Sequence, residues 1–346
     1  MNLFRKILFP FSLLYGEIVA ARNIFYNKGI LRSTSFNIPI INVGNLSVGG
    51  TGKTPQVEYL ARLLKDRYNL AILSRGYRRN TKGFLIADRS TTASDIGDEP
   101  MQYHAKFKNI IVAVDADRVN GIQQLKKLSA KPDVILLDDA YQHRKVVAGL
   151  NILLTSYDDL YVDDKMLPSG NLREKVKGAG RAQIIVVTKC PDELSEPDQF
   201  AIAKRLKAET HQTVFFSKIK YCQEIIGKGV IFPVSDLMGF EVVLVTGIAN
   251  TKPLTSFLEK QKIKYHHKKY ADHYSFSKKD RDEIKLVYSK IKTDKKLILT
   301  TEKDYVRSFI GMDNFFYLPI ETVFIDDQKD FNKLIQKYVG QGSRNS

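Results

Sequence analysis

The sequence predicts an α/β chain: a mostly parallel sheet with helices on both faces that carries a phosphate-binding loop, then a smaller α/β domain. Three observations predict it. Short apolar runs alternate with helical stretches through the first half, the pattern of a parallel sheet covered on both sides. The glycine-rich run SVGGTGKTP, Ser47 to Pro55, lies between one such strand and one such helix. A second strand–turn–helix unit, FEVVLVTGIANTKPLTSFLEKQ, opens at Phe240 after the Gly/Pro-marked stretch KGVIFPVSDLMG.

Composition sets the limits. The 346 residues suffice for two ordinary α/β domains, and 43% apolar content can fill their cores. Two cysteines, Cys190 and Cys222, exclude a disulfide scaffold and fit a reducing compartment. The six histidines form no dense Cys/His pattern for zinc. A formal charge of +16 calls for an anionic partner: nucleic acid, a membrane surface or a phosphorylated substrate. Lysine-rich runs such as YHHKKY and KIKTDKK also read as plain solvated faces, and no recognisable nucleic-acid module appears.

The N-terminal stretch carries Leu3, Phe4, Ile7, Leu8, Phe11, Leu14, Tyr15, Ile18 and Val19 at helical spacing. Arg5, Lys6, Arg22, Lys28 and Arg32 surround them, against a single acid, Glu17. A spanning helix needs about 20 mostly apolar residues, and Glu17 interrupts the run. No small-residue cleavage site precedes the first strand. Two readings remain: a helix lying in a membrane interface, or one packed on the protein's own core and kinked at Pro10.

The strand IPIINVGNLS then runs into the loop. Gly49, Gly50 and Gly52 permit the tight turn that aims backbone N–H groups at one anion. The following helix adds its N-terminal donors and partial positive charge. Lys53 supplies a point charge for β- and γ-phosphates, and Thr54 a hydroxyl for Mg²⁺. Ser47 stands where the usual pattern has its first glycine. The strand NLAILS leads into the basic loop SRGYRR with Arg75. The acidic turn IGDEP holds Asp98 and Glu99, fitted to accept a proton, to hold metal or to cap the next helix. NIIVAVD, PDVILLDD and AQIIVVTK continue the sheet. Asp138 and Asp139 end the second of these, where a carboxylate holds Mg²⁺ opposite a phosphate loop; strand-end capping is the plainer alternative. His143 lies just beyond. The basic loop SGNLREKVKGAGR contributes Arg173.

In the second half, GIAN lacks the lysine of a second phosphate loop. KLILTTEKDYVR and NFFYLPIETVFI add strands, and DDQKDFNKLIQKYV reads as a helix with Phe331, Leu334, Ile335 and Val339 on one side. His273, beside Asp272 in YADHYSF, can support proton transfer or serve structure alone. The cleft between the domains is the default substrate site.

The runs NVGNLSVGGTGKTP, LSRGYRR, GDEP, VAVDADRVNG, VILLDDAYQHR, LPSGNLRE, VTGIANTKPL, YADHYSF and LTTEKDYVR occur in this order. Together they resemble the tetraacyldisaccharide 4'-kinase family, the lipid A disaccharide kinases of Gram-negative-type envelopes, over essentially the whole chain. The resemblance implies a P-loop NTPase-like three-layer α/β/α sandwich with a smaller α/β/α domain that closes over the nucleotide. Its expected divisions are a membrane-associated segment 1–34, a kinase domain 35–212, a β-rich linker 213–235 and the smaller domain 236–346. The implied reaction moves the γ-phosphate of ATP, with Mg²⁺, to the 4'-hydroxyl of tetraacyldisaccharide 1-phosphate, giving lipid IVA. The implied place is the cytoplasmic face of the inner membrane, peripheral or monotopic, with no nucleic acid and no obligate protein partner.

The expected catalytic set is Asp98 as base with His273, together with Lys53 and Asp139. Ser47, Gly49, Gly50, Thr51, Gly52, Lys53 and Thr54 are expected to bind the nucleotide, and Thr54, Asp138, Asp139 and Glu99 the metal. Arg75, Tyr77, Asn171, Arg173, Gln142 and His143 are expected at the substrate. Ser47 matches the family's own variant of the loop. Arg78, Ala140 and Tyr141 depart from residues common in the family and put local loop detail in question. The competing readings are a P-loop kinase for another phosphorylated sugar or small molecule, and a membrane-associated nucleotide-hydrolysing switch.

Overall fold

The computed structural model describes Arg5 and residues 7–342. Leu3, Phe4 and Lys6 of the N-terminal belt lie outside the described residues.

Eight strands appear in order along the first part of the chain: β1 (Ile40–Asn45), β2 (Leu70–Ser74), β3 (Leu85–Ile86), β4 (Ile111–Val114), β5 (Val134–Asp138), β6 (Leu150–Ser156), β7 (Ile184–Thr188) and β8 (Thr213–Tyr221). All pair in parallel except β3, a short antiparallel edge on β4. Successive residues point to opposite faces, so each strand feeds two cores. Ile41 and Val43 join Val57, Leu60 and Leu64 of helix Lys53–Leu64 on one face. Ile40, Leu73, Ile135 and Leu137 meet Ile122 and Leu125 of helix Arg118–Leu125 on the other. That is the expected layering of helix, sheet and helix.

Six strands make a second sheet: β9 (Glu224–Gly227), β10 (Val230–Pro233), β11 (Glu241–Thr246), β12 (Lys264–Lys269), β13 (Lys296–Thr301) and β14 (Phe315–Leu318), in the order β10-β9-β14-β13-β11-β12. The lysine-rich run of the sequence is β12, an outer strand, where Lys264, Lys268 and Lys269 discourage pairing with another chain.

The smaller unit does not extend to the C-terminus as the 236–346 division has it. Pro319 breaks the apolar run 315–324 in two. β15 (Ile320–Phe324) leaves the second sheet and pairs antiparallel with β8 at the edge of the first. Helix Gln328–Gly342 follows and buries Phe331, Ile335 and Val339 in the large core, where the Phe331 ring lies 4.3 Å from Phe324 and 5.2 Å from Phe215. The chain thus crosses between the sheets twice, at Cys222 and at Pro319, and the Cys222 N–H donates to the Pro319 carbonyl at 2.9 Å.

Helix Phe9–Asn27 has Pro10 in its first turn, where a missing N–H costs little. Its polar and small residues face the protein. Ser12 and Gly16 are buried. Ser12 Oγ accepts from Ser169 N at 2.9 Å, Tyr15 OH donates to Arg173 O at 3.1 Å, and Asn23 Nδ2 donates to Glu174 at 3.1 Å. Phe11, Leu14, Ile18, Ile24 and Phe25 face outward. Among the described residues, no helix is long and apolar enough to cross a membrane.

Candidate active site

The phosphate loop hangs between β1 and helix Lys53–Leu64. Gly52 takes the left-handed conformation (φ 81°) that ends the turn, and Lys53 begins the helix, whose first N–H groups have no partner within it. The outside of the loop is tied down. Val48 N donates to Asn171 O and Arg173 N to Leu46 O, both at 2.7 Å, and Ser47 bridges Leu172. Thr188 Oγ1 donates to Thr51 O at 2.8 Å, and Lys189 Nζ to Gly50 O.

Behind the loop, Lys53 Nζ donates to Asn45 Oδ1 at 3.3 Å and stands 3.8 Å from Asp139 Oδ1. Burial pulls the Lys53 ammonium below its usual range, with Asp139 opposing that shift. Asp139, itself in a left-handed conformation (φ 50°), receives both arms of Arg173 at 2.7 and 3.1 Å. Burial acts to raise its pKa, but Lys53 and Arg173 outweigh it and hold the carboxyl below the usual range. Asp138 behaves oppositely. Burial first, then the anions of Asp139 and Glu99, push it up to about 7. The paired aspartates therefore carry different charge environments.

Helix Asp98–Lys106 starts beside this pair. Gly97 (φ 91°) sets the turn, and Asp98 and Glu99 fill the first helical turn. Across from them lies helix Glu302–Ser308 of the smaller unit. Lys303 Nζ is 2.6 Å from Glu99 Oε1. Arg307 donates from Nε and Nη2 to Asp98 Oδ2, at 2.8 and 2.5 Å. His273 Nδ1 is 3.6 Å from that same oxygen. Lys106 joins the buried carboxylates Glu58 and Glu302 across the same junction, each at 2.7 Å.

Asp98 and His273, far apart in sequence, thus meet, and so do Lys53, Asp138 and Asp139. Tyr77 reaches the first group, its ring 6.4 Å from the His273 ring and edge-on to it. Arg75 is exposed at the end of β2. Arg173 and Gln142 are engaged inside the protein. Gln142 Nε2 donates to Asn45 O at 2.9 Å and to Glu174 at 3.0 Å, so both residues brace the strand that delivers the loop. His143 is half-buried, and burial with the nearby Arg118 charge lowers its pKa to about 4. Reading the sequence missed Asn45, Lys303, Asp304 and Arg307. The last three lie in LTTEKDYVR, where a dense charged cluster directly after an apolar strand was the available signal.

A lysine beside a glycine-rich anion cradle suits nucleotide phosphates. A carboxylate of the larger unit met by a histidine of the smaller one suits a hydroxyl that must lose its proton. Linked through Glu99, next to Asp98 and with its charge acting on both Lys53 and Asp138, they define a P-loop kinase. The family model described as tetraacyldisaccharide-1-P 4'-kinase matches residues 4–340, and the chain belongs to that family. It is 51% identical over 341 residues to the tetraacyldisaccharide 4'-kinase of Flavobacterium johnsoniae, covering 98% of each chain. With the enzyme of that name from Bacteroides thetaiotaomicron it shares 44% identity over 360 residues, covering 99% of this chain and 95% of that one. A crystal structure of LpxK from Aquifex aeolicus in complex with ATP is similar at a TM-score of 0.79 and 32% identity, covering 97% of this chain and all of that one.

Proposed function

We propose that the chain transfers the γ-phosphate of ATP to the 4'-hydroxyl of tetraacyldisaccharide 1-phosphate. The observation that carries this reading is the meeting of Asp98 with His273 beside a complete phosphate loop, in a chain of this family. Loop N–H groups and Lys53 hold the β- and γ-phosphates and stabilise charge that develops on them. Asp139, with both oxygens turned to Arg173 and its charge beside Lys53, orients that lysine. Asp98 takes the hydroxyl proton, and His273 orients Asp98.

The residues fit Mg²⁺. Thr54, Asp138 and Glu99 offer only hard oxygen donors, and Glu99 lies near enough to Asp138 for its charge to act on it. That is the sparse protein shell of an ion bound largely through phosphates and water. Bound there, Mg²⁺ would neutralise phosphate charge, with Thr54, Asp138 and Glu99 as its protein ligands. Asp139, the fourth expected ligand, serves Lys53 instead. Exposed Arg75 and Tyr77 fit the sugar phosphate, while the Asn171 carbonyl holds the loop and Gln142 braces the strand before it.

The outward apolar stripe of helix Phe9–Asn27, with Arg5, Arg22, Lys28 and Arg32 around it, supports docking on the anionic cytoplasmic leaflet of the inner membrane. The smaller unit closes over the nucleotide by bending at Cys222 and Pro319. The test uses purified protein, γ-labelled ATP, Mg²⁺ and the disaccharide lipid. Label in an organic-extractable product one phosphate heavier supports the reading. Label only in soluble sugar or inorganic phosphate sinks it.

A further inference from the structure

Arg307 is nearly closed off from solvent, with 7% of its side chain exposed. Two of its nitrogens bind Asp98 Oδ2 at 2.8 and 2.5 Å. Its remaining arm donates to Asp304 Oδ1 at 3.1 Å and to Tyr274 O at 3.2 Å. Asp304 is fully buried and held in turn by Gly247 N at 2.9 Å and Thr301 Oγ1 at 2.7 Å. A buried chain of charge-assisted bonds therefore runs from the base of the smaller sheet through Arg307 to Asp98. The planar guanidinium sets two nitrogens on Asp98 and a third on Asp304 in one fixed geometry, which the single point charge of an ammonium does not impose.

The occupancy of Asp98 is one-sided. Oδ2 faces Arg307 and His273, whereas Oδ1 receives no hydrogen bond among the described residues. We infer that Arg307 is a positioning residue for phosphoryl transfer: it pins Asp98 through Oδ2 and leaves Oδ1 as the oxygen that takes the acceptor's proton. The inference rests on Asp98 acting as base. In the step, the sugar 4'-oxygen bonds to the γ-phosphorus, and the bond from that phosphorus to the β–γ bridging oxygen breaks. ADP leaves with the electron pair, and the hydroxyl proton passes to Oδ1. Because Arg307 belongs to the smaller unit, the base is correctly held only while that unit is docked.

The experiment is a double-mutant cycle on the full-length chain with Asp98→Ala, Arg307→Ala and the pair, reading kcat and both KM values. Arg307→Ala should lower kcat by about 10–100-fold, the range for losing charge-assisted bonds to one group, with the KM for ATP within about 2-fold. Added guanidinium ion should restore part of that loss. On an Asp98→Ala background the second change should cost nothing more. An unchanged kcat in Arg307→Ala, beside an inactive Asp98→Ala, overturns the inference alone. A normal kcat in Asp98→Ala overturns the assignment of the base beneath it. A loss that adds in full to that of Asp98→Ala, without guanidinium rescue, assigns Arg307 to the phosphates or to structure and also overturns the inference. Arg307→Lys keeps the charge without the fork. Its kcat should fall between those of wild type and Arg307→Ala, and a wild-type value refutes the positioning role even if the alanine variant does not fold.

Discussion

Replacing Phe11, Leu14 and Ile18 together with serine tests how the protein reaches a lipid substrate. These side chains are 60–62% exposed, on the outward face of helix Phe9–Asn27. Fully burying such a side chain is worth roughly 2 kcal/mol. With three-fifths of each left to bury, the triple change removes about 3.5 kcal/mol of insertion energy, or about 400-fold in membrane partition. The opposite face keeps its bonds to Ser169, Arg173 and Glu174, so the helix stays seated. Co-sedimentation with anionic vesicles reads the partition directly, and the thermal midpoint checks the fold. The apparent KM for lipid should rise while that for ATP holds. High salt should weaken docking of the native protein only in part, because the arginine attraction is screened and the apolar term is not. Equal sedimentation of the folded variant refutes the reasoning and leaves the stripe without a lipid role.

Further perturbations probe the site and the core. Lys53→Ala should lower label transfer by about 100–1,000-fold through lost charge stabilisation, and a normal rate at saturating ATP counts against the phosphate cradle. Gly97→Ala places a Cβ 2.8 Å from Tyr77 O at a φ of 91°, a strain of about 1–3 kcal/mol that should displace Asp98 and lower both kcat and the melting temperature. Glu302, raised to about 7 by burial and by the anion of Glu58, stabilises the fold fully below its unfolded value near 4.5 and loses that contribution as pH rises through about 7. Glu302→Gln should therefore show a flatter melting profile between about pH 4.5 and 7, and an unchanged slope rejects this source of the pH dependence. Phe331→Ala opens the large core and should cost about 3–5 kcal/mol in urea melts, although the residue lies in the last helix.

Local sequence disclosed the parts whose chemistry is local. A strand, the three glycines of the loop and a lysine opening a helix fall within fifteen residues, Ile40 to Thr54, and one loop conformation satisfies them all. Asp138 was legible because a carboxylate ending an apolar strand has few reasons to be there. Arg307 was not, because its partner Asp98 lies 209 positions away and nothing in DYVR reveals what it will face. The periodicity of the first helix separated two faces without saying which turns inward. Ser12, Gly16 and Asn23 decide that through contacts with distant loops. The last helix was read correctly as amphipathic, but its pattern fits either core equally well. Pro319, by splitting one apolar run into strands of two different sheets, determines which core receives it.

The return of β15 and helix Gln328–Gly342 to the first sheet has a consequence for synthesis. The chain is made from its N-terminus, so this strand and helix leave the ribosome only after the second sheet has been synthesised. Until then the large core lacks Phe331, Ile335 and Val339, and Ile40 in the first strand lacks the Tyr338 hydroxyl that bonds both its N–H and its carbonyl at 3.0 Å. The second sheet, built from 224–318, has its own strands and core and can form earlier. The unit that starts first therefore finishes last. A nascent enzyme has no completed phosphate-binding domain until helix Gln328–Gly342 has emerged, so the onset of catalysis waits on synthesis of the whole second sheet.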